Sequence, residues 1–516
     1  KGSVEIVAKD GVQSITQWED KDSNTCVKDG EGKEIRDRED SKIVLTTKNK
    51  DTGETKTTHN TVTIDAKEGN TANVTLQDVH IESSSTWSSD PAPIEIKGNG
   101  STNLELNGNN TVFSGNEDHA GIEKADVNGT GTLTIKDDLN DKGEEKTGTD
   151  KDSTLVAGGF ENSAAIGGGG TYDTACTSNI TITGGKITAS GSRYGAGIGG
   201  GYTGDASNIR IEGNADVTAY GDSGAAIGTG YHSRGNSDIT ITDHATVEAA
   251  SEEGCGIGHG QDASGKVTVT ISGDASVNAQ TLDFAAAAIG SDTSSATVNI
   301  EDHADVTAVG RGVAIGTGFG HEGTSTVINI TGGTVNAVTR DESKPAIGTV
   351  DGNLDLTINS STGKTTVDTY TTSSDPLSLN IGTGHYDDSA HKYRTSPSEG
   401  AEYNEDGSSN LGESNAAIIN SYRNTPLTPG TYDAPKTLDS GAFRATYEAY
   451  GDLCNAKYTL SDKDKGDLTK VVHNRKYMEE HPEIVDITKL EDEDLHDWKL
   501  VGKVVEPTLE KDGYAD

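Results

Sequence analysis

The segment TLDFAAAAIGSD (281–292) contains the residues of this sequence that are most suggestive of chemistry. Asp292 ends the segment, and position 285, the first of four consecutive alanines, lies seven residues before it. Two carboxyl groups on either side of one bend can hydrolyse a glycosidic bond, with a separation of about 5–5.5 Å in retaining enzymes and about 6.5–9.5 Å in inverting enzymes. Asp292 can provide one such carboxyl group, whereas Ala285 carries no group that can exchange a proton.

Other polar and aromatic side chains are expected to contact a substrate near these two positions. Glu253 would raise the pKa of a neighbouring acid by like-charge repulsion, and Arg311 would hold a carboxylate ionised. Aromatic rings would stack on the faces of sugar rings. The candidate binding residues are Glu253, Arg311, His259, His321, Tyr231, Tyr202, Phe319 and Asp283. Surface charges are often only solvated, and aspartates in turns such as Asp283 and Asp222 commonly bond their own backbone, so both alternatives stay open.

Positions 253, 285 and 311 are equivalent to one another because the sequence repeats. A motif of small residues followed by Ile-Gly recurs as SAAIGGGG (163–170), GAGIGGG (195–201), GAAIGTG (224–230), GCGIGHG (254–260), AAAIGSD (286–292), GVAIGTG (312–318) and KPAIGTV (344–350). Degenerate copies surround Ile94, Ile122 and Ile381. Most intervals between these isoleucines are close to 30 residues and carry two further alternating segments, such as NITIT and KITAS within 179–190. Three short strands per repeat predict an all-β fold, a right-handed parallel β-helix of about ten turns.

Equal positions in successive turns form columns, and one turn breaks two of them. Four places before the isoleucine, the column reads Asn162, Tyr194, Ser223, Glu253, Ala285, Arg311 and Ser343. Three places after it, the column reads Gly169, Gly201, Gly230, Gly260, Asp292, Gly318 and Val350. Ala285 is the only alanine in a mixed polar column, and Asp292 is the only carboxylate in a glycine-rich column. Departures of this kind are expected at functional sites.

Composition excludes several classes of protein. With 65 glycines among 516 residues and only 31% hydrophobic residues, the chain favours a thin repetitive core over an ordinary globular one. The 83 acidic and 42 basic residues give a net charge of −41, which would repel nucleic acid. No stretch is apolar enough for membrane insertion. Four cysteines without paired spacing indicate neither a disulfide framework nor zinc, and Cys255 is expected to be a small buried residue.

The organisation of the chain follows from these patterns. We expect an N-terminal cap segment at 1–58, the β-helix at 59–424 with a charged loop at 136–152, and a C-terminal cap with the start of a surface-protein module at 425–516. The termini predict a fragment of a longer protein that is secreted and associated with the cell wall or cell surface. We expect a monomer that needs no cofactor, with structural calcium as an option at Asp387 and Asp388, because hard cations prefer clustered oxygen ligands.

The runs HNTVTIDAKEGNTANVTLQDVHI (59–81) and NLELNGNNTVFSGNEDHAGIEK (103–124), followed by the AAIGGG repeats, resemble the β-helix domains of glycoside hydrolase family 136, the lacto-N-biosidases of gut bacterial surface proteins. The resemblance covers roughly residues 59–420. It implies release of lacto-N-biose from type-1 oligosaccharides by a retaining mechanism with two catalytic aspartates seven residues apart, which correspond to positions 285 and 292. Asp292 matches and Ala285 does not. The resemblance therefore implies either an inactivated Asp-to-Ala variant of such an enzyme or, as the alternative, a non-catalytic glycan-binding adhesin.

Overall fold

The computed structural model describes residues 2–18, 34–39, 43–49, 52–83, 91–126, 130–137, 153–321, 323–339, 344–350, 352–358, 360–371, 381–387, 392–396, 418–422, 470–473, 485–486 and 498–499. The chain divides into two compact units, 1–240 and 241–516. All the named elements in the described residues are β-strands, and none of the described residues forms a helix that could cross a membrane. Each turn contributes one strand to each of three sheets, called the first, second and third sheet in chain order from the Ile-Gly motif.

The N-terminal unit (1–240) is a parallel β-solenoid that carries antiparallel strands near its beginning. Its first sheet contains Glu34–Glu39, Val12–Trp18, Val4–Lys9, Val62–Ala66, Ile94–Lys97, Ile122–Glu123, Ile166–Gly167, Ile198–Gly199 and Ile227–Gly228. Its second sheet contains Ile43–Leu45, Thr71–Gln77, Ser101–Asn107, Thr132–Asp137, Thr177–Ile182 and Ala206–Ile211. Its third sheet contains His80–Ser83, Asn109–Ser114, Thr154–Gly158, Lys186–Ser190 and Asp216–Gly221. The strand Val4–Lys9 pairs antiparallel with Val12–Trp18 and parallel with Val62–Ala66, so it joins the hairpin to the first turn.

The C-terminal unit (241–516) repeats the same three-sheet plan. Its first sheet contains Ile257–Gly258, Ile289–Ser291, Ile315–Thr317, Ile347–Val350, Ile381–Asp387 and Lys392–Ser396. Its second sheet contains Val267–Ile271, Ala296–Ile300, Ser325–Ile330 and Asn353–Ile358, and the strand Ser237–Ile241 falls at the division between the units. Its third sheet contains Thr246–Ser251, Ser276–Thr281, Asp305–Gly310, Gly333–Thr339, Thr365–Thr371 and Ile418–Tyr422. The strands Lys470–His473, Val485–Asp486 and Trp498–Lys499 pair antiparallel.

The motif isoleucines form the core, as the sequence predicts. In the C-terminal unit, Ile257, Ile289, Ile315, Ile347 and Ile381 pair in register. The first four are fully buried and the last is 5% exposed. Each buried isoleucine contributes about 1.5–3 kcal/mol through the hydrophobic effect. With five motif isoleucines in each unit, the prediction of an all-β parallel β-solenoid of about ten turns is confirmed.

The glycine after each isoleucine is required by both backbone conformation and space. Gly258, Gly290 and Gly316 have φ values of +141°, +134° and +133°, which L-residues with a side chain rarely adopt. A β-carbon at Gly290 would lie 1.9 Å from the carbonyl oxygen of Gly316 on the next turn. The Ile-Gly pair is therefore the unit that lets successive turns approach closely, which explains why it recurs.

Several predicted features lie outside the described residues. These are residues 138–152 of the charged loop, Ser343, Asp388 and most of the predicted C-terminal cap. Cys255 is fully buried, as expected for a small apolar residue in this position. Within the described residues, Cys176 and Cys255 carry free thiols.

Candidate functional site

The centre of the candidate site is the carboxyl group of Asp292, which directly follows the strand Ile289–Ser291 in the C-terminal unit. Asp292 is only 2% exposed. Its Oδ2 accepts a hydrogen bond from the backbone N–H of Asp262 at 2.9 Å, whereas its Oδ1 is buried without a hydrogen-bond partner. Burial raises the pKa of Asp292 to about 6, and the negative charge of Asp283 adds to this increase. Asp292 thus has the protonation behaviour of a general acid that works near neutral pH.

Asp283 supplies a second carboxyl group whose charge interacts with that of Asp292. Burial raises the pKa of Asp283, and the nearby Glu253 raises it further. The carboxylate accepts hydrogen bonds from the backbone N–H groups of Ala285 and Ala286, which favour its ionised form. Asp283 therefore bonds its own turn, as aspartates in such positions commonly do, and the charge of Glu253 acts on it in the direction expected from like-charge repulsion.

Lys344 is the cation of this site, and sequence reasoning missed it. Its side chain is 1% exposed, and its ammonium donates hydrogen bonds to the carbonyl oxygens of Phe284 and Gly318. The positive charge of Lys344 lowers the pKa of both Asp283 and Asp292. A signal was present in the sequence, because three places before the isoleucine the column reads Ser163, Gly195, Gly224, Gly254, Ala286, Gly312 and Lys344. Lys344 is the only charged residue in that column.

Two aromatic rings lie close to this ammonium. The Lys344 Nζ lies 5.0 Å from the ring centroid of Phe284 and 5.6 Å from that of Phe319. Phe319 is half-buried, and its ring centroid is 6.0 Å from that of the exposed His321. The structure thus brings Phe319 and His321 together, and it places Phe319 beside the same lysine that acts on the two aspartates.

The positions that flank Ala285 differ in exposure. Ala285 and Glu253 are half-buried, whereas Arg311 is exposed and donates its backbone N–H to the carbonyl oxygen of Thr281 at 3.3 Å. A β-carbon at Gly318 would lie 1.7 Å from the carbonyl oxygen of Ala285, so the next turn packs directly against the backbone of this position. The side chain of Ala285 provides no group that can exchange a proton.

His259, one of the candidate binding residues, lies in the interior of its turn, whereas a substrate contact would need it on an outer loop. It is fully buried, and its Nδ1 is 3.2 Å from the hydroxyl of Ser291 and 2.9 Å from that of Ser294. Burial lowers its pKa to about 4, so the ring is neutral at neutral pH. The signal was its place two residues after Ile257, since alternation along a strand points both side chains to the same inner face.

The two predicted tyrosines belong to the N-terminal unit, where they form an aromatic cluster with Tyr194. The ring centroids of Tyr202 and Tyr231 lie 5.4 Å and 5.1 Å from that of Tyr194, and 6.0 Å from each other. The guanidinium of Arg193 lies 5.0 Å from the centroid of the Tyr194 ring. These rings and the carboxyl groups of Asp283 and Asp292 fall in different units.

The side chains in the described ranges give no indication of a metal site. Among the residues that the structure describes, no group of three or more His, Cys, Asp or Glu side chains is arranged to hold a metal ion. The predicted calcium site at Asp387 and Asp388 stays a prediction, because the structure does not describe the side chain of Asp387, and Asp388 lies outside the described ranges.

Comparison with known families supports the fold and not an activity. Residues 180–202, 209–231 and 328–349 match the model of the beta-helix repeat family. Comparison with curated proteins and with solved structures gives no significant match. The three matched segments span strands of the second, third and first sheets in turn, so the sequence match and the parallel pairing agree. Together they identify the repeats of this chain as β-helix repeats.

Proposed function

We propose that this chain is an extracellular glycoside hydrolase in which Asp292 is the general acid and Asp283 is the second carboxyl group. The observation that carries the proposal is the buried carboxyl group of Asp292, with a pKa of about 6 and the charges of Asp283 and Lys344 close by. Pairs of acids whose environments separate their protonation states are the usual machinery for cleaving glycosidic bonds. In this proposal, Asp283 provides the carboxylate that Ala285 lacks.

The environments of the two acids assign their roles. Asp283 accepts two backbone N–H bonds and lies in the field of Lys344, which favours a carboxylate that attacks the anomeric carbon. The Oδ1 of Asp292 has no hydrogen-bond partner, and the pKa of this carboxyl group is raised to about 6. Asp292 therefore donates its proton to the leaving glycosidic oxygen as the bond to the anomeric carbon breaks. Water then hydrolyses the glycosyl ester with Asp292 as base, and the anomeric configuration is retained.

The proposed substrates are β-linked neutral oligosaccharides, with release of lacto-N-biose from type-1 chains as the specific reaction. The resemblance to the lacto-N-biosidases supports this choice, and the exposed ring of Phe284 beside the half-buried Asp283 is compatible with a sugar ligand. Secretion and attachment to the cell surface belong to the same proposal.

The proposal is tested by incubating the unaltered chain with lacto-N-tetraose and with aryl β-glycosides, and by comparing D292N, D283N and D355N. Asp355 is an exposed strand residue, so D355N controls for the loss of one charge. We expect D292N and D283N to lose about 10²–10⁴-fold in turnover of lacto-N-tetraose, and D355N to keep the activity of the unaltered chain. Aryl glycosides with acidic leaving groups need little protonation, so D292N should lose less on them than D283N does. An unaltered chain that cleaves none of these substrates would overturn the proposal.

A non-catalytic glycan-binding protein is the second candidate, because one specific observation favours it. Asp292 is only 2% exposed and position 285 has no carboxyl group, which restricts access of a substrate to an acid pair. This candidate predicts that the unaltered chain binds lacto-N-tetraose without cleaving it, so a binding measurement beside the hydrolysis assay separates the two functions.

A further inference from the structure

We infer that Phe284 is a stacking platform for a neutral pyranose ring and determines which glycans the candidate site accepts. The inference deepens the proposed function and rests on it for the place of the scissile bond. Phe284 is 51% exposed, and among the exposed large hydrophobic residues of the described ranges only Tyr172, at 76%, is more exposed. It stands between Asp283 and Ala285 in the turn that ends in Asp292.

Phe284 is held in place from beneath by Lys344. The buried ammonium lies over the ring at 5.0 Å from its centroid and also donates a hydrogen bond to the carbonyl oxygen of Phe284 itself. One contact orients the ring and the other fixes its backbone. Lys344 is 1% exposed and Phe284 is 51% exposed, so a buried cation supports a ring that is open to solvent. A platform that is fixed before binding loses little conformational entropy when a ligand stacks on it.

The next turn packs closely against the backbone of Phe284. A β-carbon at Gly312 would lie 2.2 Å from the carbonyl oxygen of Phe284, so the neighbouring turn must carry glycine at the point where it meets the platform residue. No side chain from position 312 can then shield the ring. The close packing of adjacent turns therefore excludes one side chain that could cover Phe284.

The chemistry around the ring selects a neutral sugar. The C–H face of a β-linked pyranose packs on an aromatic ring, and its hydroxyl groups can donate hydrogen bonds to acceptors at the ring edge. Asp283 precedes the ring in the chain, and the charge of Glu253 reaches Asp283. These acidic groups, in a chain with a net charge of −41, repel uronic acids and sialylated glycans. The occupant is thus an uncharged hexopyranose within a β-linked glycan.

The test measures binding separately from cleavage, by calorimetry in the D292N background. The probes are lacto-N-tetraose as the neutral glycan and an oligogalacturonide of similar length as the anionic one. We expect F284A to weaken binding of lacto-N-tetraose about tenfold or more, and F284W to bind within about twofold of the D292N parent, because an indole ring preserves the stacking surface. Y172A removes another exposed aromatic ring, in the N-terminal unit, and should not change the affinity.

Three results would overturn the inference. They are an unchanged affinity in F284A, a preference for the oligogalacturonide, and no binding of the neutral glycan by either the D292N parent or F284W. Hydrolysis by the unaltered chain with the same KM in F284A would refute the platform and leave the proposed function standing. Loss of binding in F284A without hydrolysis by the unaltered chain would refute the hydrolase and leave the platform standing.

Discussion

Replacement of Asp292 by asparagine should stabilise the protein at alkaline pH and not at acidic pH. The pKa of Asp292 is about 6 in the folded chain and 3.8 for a solvated aspartate, which corresponds to about 3 kcal/mol at 1.36 kcal/mol per pKa unit. Because folding raises this pKa, the folded state holds the proton more tightly. The stabilising contribution is complete below the unfolded pKa and is lost as the pH rises through about 6. Above about pH 6 the ionised and buried carboxylate of Asp292 destabilises the folded state, whereas the neutral amide of asparagine does not.

The assay is urea unfolding of the unaltered chain and of D292N at a series of pH values, with D355N as the charge control. Between about pH 4 and pH 8, the free energy of unfolding of D292N should rise relative to that of the unaltered chain by about 2–3 kcal/mol, while D355N follows the unaltered chain. An unchanged m value is required for the comparison. A difference between D292N and the unaltered chain that does not vary with pH would refute the assigned burial and protonation of Asp292.

Three further changes give distinct expected outcomes. K344M should raise the pKa of Asp292, because the charge of Lys344 lowers it. The limb of the pH–rate profile that reports Asp292 should therefore move to higher pH, and a limb at the same pH would contradict the role of the lysine. G290A should lower the free energy of unfolding by at least about 2 kcal/mol, since φ is +134° and the new β-carbon would lie 1.9 Å from the Gly316 carbonyl oxygen. An unchanged free energy of unfolding in urea would be evidence against the close approach of turns. Ala285→Asp should increase turnover of lacto-N-tetraose about tenfold or more by adding a carboxyl group at the position implied by the resemblance, and unchanged turnover would leave Asp283 as the only partner.

The fold could be predicted from sequence because a solenoid imposes the same demand on every turn. Each repeat must place one large apolar side chain inward at the same point, and Ile289 is one of a column of isoleucines that meets this demand. Gly290 follows because only glycine fits the backbone conformation and the distance to the next turn. These constraints are periodic, so the intervals between isoleucines predict the turns, and the two alternating segments within each interval predict three strands per turn.

The site could be predicted only in part, because its contacts depend on the course of a turn and not on periodicity. The break in the glycine column singled out Asp292, whose carboxyl group is buried in the structure. The role of Asp283 depends on the path of the chain through 283–286, which the repeat does not determine. Lys344 lies 60 residues from Phe284 in the chain, and the signal for it in the sequence is that it is the only charged residue in a column of small residues. For His259 the periodic pattern does determine the location, since a residue two places after the motif isoleucine lies inside the solenoid even when it is polar.

The most direct test of the central claim is a crystal structure of the D292N variant soaked with lacto-N-tetraose. The account predicts a sugar ring against the exposed face of Phe284, with the scissile glycosidic oxygen about 2.6–3.2 Å from the side chain at position 292 and the anomeric carbon facing Asp283. A glycan bound only to the tyrosine cluster of the N-terminal unit, or on a face of the C-terminal unit that lacks Phe284 and position 292, would contradict it.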